Sequence, residues 1–412
     1  MKKYTLPEVE NIVNDELATG LEWLLREGAR KMLQSALEME VSEYIERCQD
    51  QLEEKGHQQV VRNGYHKPRE LTTGIGKIPI RQPRVHNRRK GCQFASAILP
   101  KYARRAPSID TLIPTLYLKG ISTSSFPEAL EAILGKDAPG LSAANIVRLK
   151  TIWDEERKAW ENRDLSDKHY AYLWVDGIYF NVRLEPDRPC MLVIVGATAN
   201  GKKELVVIAD GERESKLSWQ TVLCDLKSRG LINAPAVAVG DGGLGFWPAL
   251  EEEFPTTKHQ RCWVHKTANV LDKLPKKLHK DAKGLLHQMY LSATKDDALE
   301  VYARFLNLYQ DKYPKACDCL VKDKDVLFTF YDFPALHWQH LRTTNPVESP
   351  FATVRHRTRQ TKGCGSRNAT LAMVFKLGLE AQKTWKRLRG HKVVHLVLEG
   401  VKFVDGEILK AA

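Results

Sequence analysis

The sequence contains eight cysteines, at 48, 92, 190, 224, 262, 317, 319 and 364, but no Cys-x-x-Cys pair. Scattered thiols of this kind argue against a disulfide framework and for a reducing cytoplasm. The N-terminus lacks an apolar signal core, and no apolar run approaches the roughly 20 residues of a membrane span. A soluble intracellular protein with no membrane association is therefore expected. Internal repeats and low-complexity segments are also missing. Acidic residues are absent from two stretches. Between Arg81 and Arg105 there are eight cations (Arg81, Arg84, Arg88, Arg89, Lys90, Lys101, Arg104 and Arg105) and no acid. Between Arg355 and Arg367 there are five more (Arg355, Arg357, Arg359, Lys362 and Arg367), again without an acid. A solvated face normally mixes signs, so both tracts read as phosphate-contacting surfaces. The whole-chain excess, 63 Lys+Arg over 51 Asp+Glu for a net +12, points the same way, toward a polyanionic partner.

At 412 residues the chain should form two or three domains. Residues 8–54 read as one long helix, with Leu17, Leu21, Leu24, Leu25, Met32, Leu33, Ala36 and Leu37 as its apolar stripe. This arm could cover a core or pair with a second subunit. Asn63-Gly64 and Gly74-Ile75-Gly76 punctuate a small β element. From Ser108 to about Trp160 three short helical patterns follow, joined by a turn at Lys119-Gly120. They are compatible with a DNA-binding helix-turn-helix and equally with a plain three-helix core.

The middle of the chain changes character. Short β-rich runs at 170–184, 190–198 and 204–211 precede a helix at 215–229. A strand at 235–240, a helix at 245–254 and a short run at 258–263 come next. The order β-β-β-α-β-α-β is the plan of a ribonuclease H-like α/β fold. Residues 266–335 read as helix only, and a last apolar helix at 371–388 leads into a short tail.

Three carboxylates stand out against this plan. Asp176 interrupts the apolar run Trp174-Val175-Asp176-Gly177-Ile178, where an unpaired acid in a buried strand would be costly. Asp241 ends Val237-Ala238-Val239-Gly240-Asp241, and the glycines after it would admit a phosphate backbone. Glu348 follows the helical block, just ahead of the second basic tract. The first and fourth strands of such a sheet are neighbours, so the two aspartates would converge. A few carboxylates hold Mg²⁺, and two such ions can serve both ends of an in-line displacement at phosphorus. Taken singly, each acid has a blander reading as a turn residue or a solvated glutamate.

Several segments together resemble the Mutator-type transposases of bacterial insertion sequences, which belong to the DDE class. They are Trp174-Val175-Asp176-Gly177, Val239 to Trp247, Gln260-Arg261-Cys262-Trp263-Val264-His265, and Thr343-Thr344-Asn345-Pro346-Val347-Glu348 with Arg355 to Arg359. The resemblance spans nearly the whole chain. It implies Asp176, Asp241 and Glu348 as a metal-binding catalytic triad using Mg²⁺, two ions with Mn²⁺ as a substitute. An α-helical insertion would precede the glutamate, and Arg355 would face the same DNA. Expected partners are double-stranded DNA, as terminal inverted repeats and target, and a second copy of the chain in a dimer. The expected location is the cytoplasm, at the nucleoid. The segments would be 1–105 (arm, β element, basic tract), 106–165 (helix-turn-helix-like), 166–265 (core, first part), 266–338 (α-helical insertion), 339–375 (core, glutamate helix) and 376–412 (last helix and tail). DNA contacts are expected from Arg88, Arg89, Lys90, Arg355, Arg357, Arg359 and Lys362. Cys262 and His265 match the family's Cys-x-x-His element and read as structural or DNA-orienting, since a zinc site needs about four ligands and Cys317-Asp318-Cys319 is a weak second pair. Pro350 requires Glu348 to lie near its helix start. Trp247 and Trp263 read as core, and His337 and Trp338 as possible contacts to DNA ends. A DNA-binding derivative without catalysis, and a nuclease that cuts without joining, stand as alternatives.

Overall fold

The computed structural model describes residues 6–48, 58–88, 93–106, 143–179, 190–211, 213–242, 245–349, 351, 354 and 367–409. The chain divides into two compact units, Met1–Val147 and Arg148–Ala412. The first two helices of the expected helix-turn-helix, Arg89, Lys90, Gly243, Pro350 and the tract Arg355, Arg357, Arg359 and Lys362 lie outside the described residues.

In the first unit, α1 (Leu6–Arg47) precedes β1 (Val60–Tyr65), β2 (Arg69–Thr73), β3 (Gly76–Ile80) and β4 (Pro83–Asn87). These pair antiparallel as β1–β4 and β2–β3, which is the expected small β element. The packed face of α1 differs from the expected stripe. Leu21, Leu24, Leu25 and Met32 are exposed, whereas Ala29, Leu33 and Leu37 pack with Leu71, Ile78, Ile80 and Leu99. Among the described residues the strands meet α1 from Arg26 onward, so periodicity named the helix but not which of its positions find a partner.

In the second unit, α2 (Ala143–Glu161) leads to β5 (Tyr170–Tyr179), β6 (Cys190–Thr198), β7 (Lys203–Gly211), α3 (Lys216–Ser228), β8 (Val237–Gly240), α4 (Phe246–Glu253) and β9 (Lys258–Arg261). The sheet order is β7-β6-β5-β8-β9. The first three strands are antiparallel, and β8 and β9 run parallel to β5. A mixed α/β unit with the expected element order results. Side chains alternate across a strand, and this divides the sheet into two faces. Leu173, Val175, Leu192, Ile194 and Ala238 pack with Trp219, Leu223 and Leu226 of α3 and with Phe246, Ala249 and Leu250 of α4. Tyr172 and Trp174 therefore point to the opposite face. There the Tyr172 hydroxyl meets His337 Nδ1 at 2.6 Å, and Trp174 Nε1 donates to the His340 carbonyl at 2.8 Å.

The chain after β9 is helical: α5 (Trp263–Leu271), α6 (His279–Leu291), α7 (Lys295–Tyr309), α8 (Pro314–Val321), α9 (Lys324–Leu327) and α10 (Trp338–Leu341). Residues 345–349 form another helical turn, and α11 (Arg367–Gln382) follows. Cys262 and Trp263, expected to prolong the last strand, instead open α5, with Cys262 as its N-cap. The expected tail is structured. After α12 (Val394–Leu398), β10 (Phe403–Val404) and β11 (Glu407–Ile408) form a hairpin tied to the helical block. Gly406 N–H donates to the Tyr331 carbonyl at 3.1 Å, and Asp405 Oδ1 accepts from Lys295 N–H at 2.7 Å. His337 and Trp338 are buried, at 0% and 8% exposure, which excludes them as contacts to DNA ends. His337 Nε2 lies 3.0 Å from the Gly390 carbonyl, so both ring nitrogens serve the packing.

Candidate active site

Two parallel strands set the positions of the aspartates. The β5–β8 ladder pairs Tyr172 with Val237 and Trp174 with Val239. Asp176 and Asp241 each lie two residues beyond that last pair. Since Ala238 belongs to the α3/α4 side, Asp241 extends the opposite face, the one carrying Tyr172, Trp174 and Asp176. Both side chains are partly exposed, just beyond the end of the β5–β8 ladder.

Asp241 is held by its neighbours. Its Oδ1 accepts from Gly242 N–H at 2.6 Å and forms an ion pair with Arg261 Nη1. The Arg261 side chain, 4% exposed, also donates from Nε to Asp323 Oδ2 at 3.1 Å. Asp323 in turn takes Lys266 Nζ at 2.5 Å, and Lys266 donates to the Cys319 carbonyl at 2.6 Å. An alternation of charges, with Arg261 and Lys266 buried, thus links Asp241 to the helical block. A β-carbon at Gly242 would collide with the Arg261 guanidinium, so that glycine makes room for the arginine. Trp247 Nε1 donates to the Asp241 carbonyl at 2.8 Å, and Trp263 is fully buried, so both tryptophans serve the core.

Glu348 is reached through Cys262. Trp263 N–H donates to the Arg342 carbonyl at 2.9 Å, which lays residues 342–344 along the start of α5. Thr344, 1% exposed, opens the helical turn: Val347 and Glu348 N–H donate to its carbonyl at 2.9 and 3.0 Å. Glu348 therefore sits in a first turn, as Pro350 requires. The Thr344 hydroxyl donates to Glu348 Oε1 and lies 3.3 Å from Cys262 Sγ and 3.5 Å from His265 Nδ1. His265 Nε2 is 3.8 Å from Glu348 Oε1. One ligand atom from each of Cys262, His265 and Glu348 lies within 4.8 Å of the others. Cys317 and Cys319 do not join them.

The electrostatics follow from this packing. A hydrogen bond with Cys262 raises His265 to about 9 against its burial, and the charges of Cys262, Asp241 and Glu348 add to the rise. Burial opposes ionisation of the Cys262 thiol, but hydrogen bonds with His265 and Thr344 outweigh it and lower the pKa. A further acid, Glu214, lies over Gly177, where an added β-carbon would overlap its Oε1. Burial raises the Glu214 pKa, and the Asp241 charge adds to this against a hydrogen bond with Tyr179.

Sequence reasoning assigned no role to Arg261, Thr344, Lys266, Asp323 or Glu214. Thr344 followed closely by Pro346 was a usable helix-start signal, and Arg261 stood inside a quoted motif without a role of its own. Nothing around Glu214 marked it. Among the expected DNA contacts, Arg88 is exposed just beyond β4. Arg367 of the second tract pairs with Asp210.

The family described as Transposase, Mutator family matches residues 1–388. The transposase for insertion sequence element IS6120 of Mycolicibacterium smegmatis is 50% identical over 299 residues, 73% of this chain and 92% of its own. The transposase for IST2 of Acidithiobacillus ferrooxidans is 48% identical over 279 residues, 68% of this chain and 94% of its own. The structure of the HTLV-2 integrase catalytic core domain in complex with magnesium is 17% identical and covers 31% of this chain and 90% of its own. Its TM-score against this chain is 0.18. Among the described residues, no helix is long and apolar enough to cross a membrane.

Proposed function

This chain belongs to the Mutator family of transposases, and on that footing we propose that Asp176, Asp241 and Glu348 are the triad with which it cuts insertion-sequence ends and joins the freed 3′-hydroxyls to target DNA. DNA transposition is the activity of the chain, and the proposal concerns how its residues perform it. The observation that carries it is the placement of Asp176 and Asp241 beyond the same ladder pair, on one face of adjacent parallel strands. Glu348 is bound through Thr344 to Cys262, which directly follows β9 on that sheet. In this reading the sheet with α3 and α4 is a ribonuclease H-like core, first part 166–265, and the block at 266–338 is an α-helical insertion. The segment 339–375 returns the glutamate, 376–412 closes the unit, and 1–105 and 106–165 recognise the ends.

The donor set fits Mg²⁺, with Mn²⁺ as substitute, because the three side chains offer only hard carboxylate oxygens. Two such ions would supply activation of the attacking oxygen and stabilisation of the leaving one. The chain's own contribution is orientation. Arg261 fixes the Asp241 carboxylate, Thr344 fixes one oxygen of Glu348, and the His265 imidazolium lies beside both acids. Cys262 and His265 act here as orienting residues for Glu348. Arg88, Arg89, Lys90, Arg355, Arg357, Arg359 and Lys362 are assigned to phosphates of the bound ends. A dimer would hold two ends at once, in the cytoplasm at the nucleoid.

The test is cleavage and strand transfer on a duplex carrying an insertion-sequence end, with Mg²⁺ or Mn²⁺. Asp241→Asn and Asp176→Asn are expected to lower both products on the order of a hundredfold or more. Unchanged cleavage by Asp241→Asn would overturn the assignment.

A further inference from the structure

We propose that Cys262, His265 and Glu348 form a site for a thiophilic divalent cation of the Zn²⁺ class, and that filling it withdraws Glu348 from the two aspartates. The consequence for activity rests on the triad reading above; the binding itself does not. The argument begins with donor chemistry. A thiol, an imidazole and a carboxylate are together a borderline-soft set, suited to zinc and unsuited to Mg²⁺, which has no use for sulfur. Their ligand atoms lie within 4.8 Å of one another. Tetrahedral zinc with bonds of about 2.0–2.3 Å spaces its ligands by roughly 3.3–3.5 Å, so the shell closes with side-chain adjustment alone.

The local fold brings two of these donors together. Cys262 is the N-cap of α5 and His265 lies in its first turn, so a Cys-x-x-His spacing on a helix start turns both toward residues 342–348. A thiolate is favoured at that position, because the helix N-terminus carries partial positive charge. Cys262 is fully buried, so its sulfur has no water to return to when a cation offers itself. The Thr344 hydroxyl stands among all three, 3.3 Å from Cys262 Sγ, 3.5 Å from His265 Nδ1 and bonded to Glu348 Oε1. A cation at the centre would take the hydroxyl or a water as fourth ligand. Glu348 Oε1, once committed to zinc beside a sulfur, is no longer free for a magnesium ion at the aspartates.

The experiment titrates the full chain with Zn²⁺ against a chromophoric chelator, and with Cd²⁺ while reading the thiolate charge-transfer band. One ion per chain is expected, with affinity weakened by at least about tenfold in Cys262→Ser and in Glu348→Gln, and retained in Asp241→Asn. Zinc should inhibit wild-type cleavage in excess Mg²⁺, and a chelator should restore it. Absence of stoichiometric binding, or equal affinity in wild type and Glu348→Gln, overturns the site. Glu348→Gln decides if Cys262→Ser fails to fold. Zinc binding with an Asp241→Asn protein that still cleaves would instead overturn the triad and leave the site standing.

Discussion

Arg261 has the most to lose by substitution, because two carboxylates depend on one buried guanidinium. Arg261→Met would leave Asp323 and Asp241 without that counter-charge. Asp323 keeps Lys266 and Asp241 is partly solvated, so the cost falls below that of a fully buried pair, about 1–3 kcal/mol, which a urea unfolding curve would register as a lower midpoint. Two glycines provide a graded comparison. At Gly245 an added β-carbon would overlap the Ser215–Lys216 backbone, which cannot step aside. At Gly177 it would meet only the end of the Glu214 side chain, which can. Gly245→Ala is therefore expected to cost about 1–3 kcal/mol and Gly177→Ala distinctly less, measured in the same assay. Equal effects would mean that Glu214 is held more rigidly than its flexible stem suggests.

At the scale of elements, α10 and the turn after α11 meet at His340. Its Nε2 accepts from Arg389 N–H at 3.0 Å, which only an unprotonated nitrogen can do. Burial, followed by the charges of Lys203, His337 and Arg389, pushes the imidazole down to about 4. The unfolded chain, titrating near 6.5, then binds more protons than the folded one between those values. Stability from this contact is present above about pH 6.5 and lost as pH falls toward 4. The urea midpoint should drop between pH 7 and 4.5, and His340→Gln should flatten that part of the slope. Most strands and helices around this contact were legible in the sequence. Runs such as Cys190–Thr198 are apolar enough to declare a central strand, and the order of strands along the chain makes the two aspartate strands neighbours. What stayed hidden depended on partners distant in sequence. The α1 stripe could not reveal which half meets the hairpins. Nor could a histidine and a tryptophan near Glu348 reveal that Tyr172 and Phe333 would bury them. Arg261 and Glu214 were invisible for the same reason, since their roles arise from tertiary neighbours.

For the second unit as a whole, the C-terminal hairpin acts as a clasp. Gly406 is fitted against Ala335, and Phe403 is 7% exposed. Removing residues 402–412 would uncover Tyr331, Ala335 and the start of α7 together. The loss of one buried aromatic alone is worth about 3–5 kcal/mol, so the truncated chain should melt markedly lower by calorimetry. A second whole-molecule expectation concerns charge. If the two acid-free tracts contact phosphates, each Lys or Arg replaced by alanine at 355, 357, 359 or 362 should reduce the salt slope of end binding by about one.

The three acids of the proposed triad come from two adjacent strands and a helical turn that are far apart along the chain. Closing such long loops is slow, and the non-local contacts that reward it form late. Synthesis from the N-terminus would thus release the first unit well before residue 348. If that unit recognises the ends as proposed, a chain terminated before residue 348 binds them without being able to cut. The fold would then act as a timer: a partial product occupies an end and blocks it, and only a completed chain is armed.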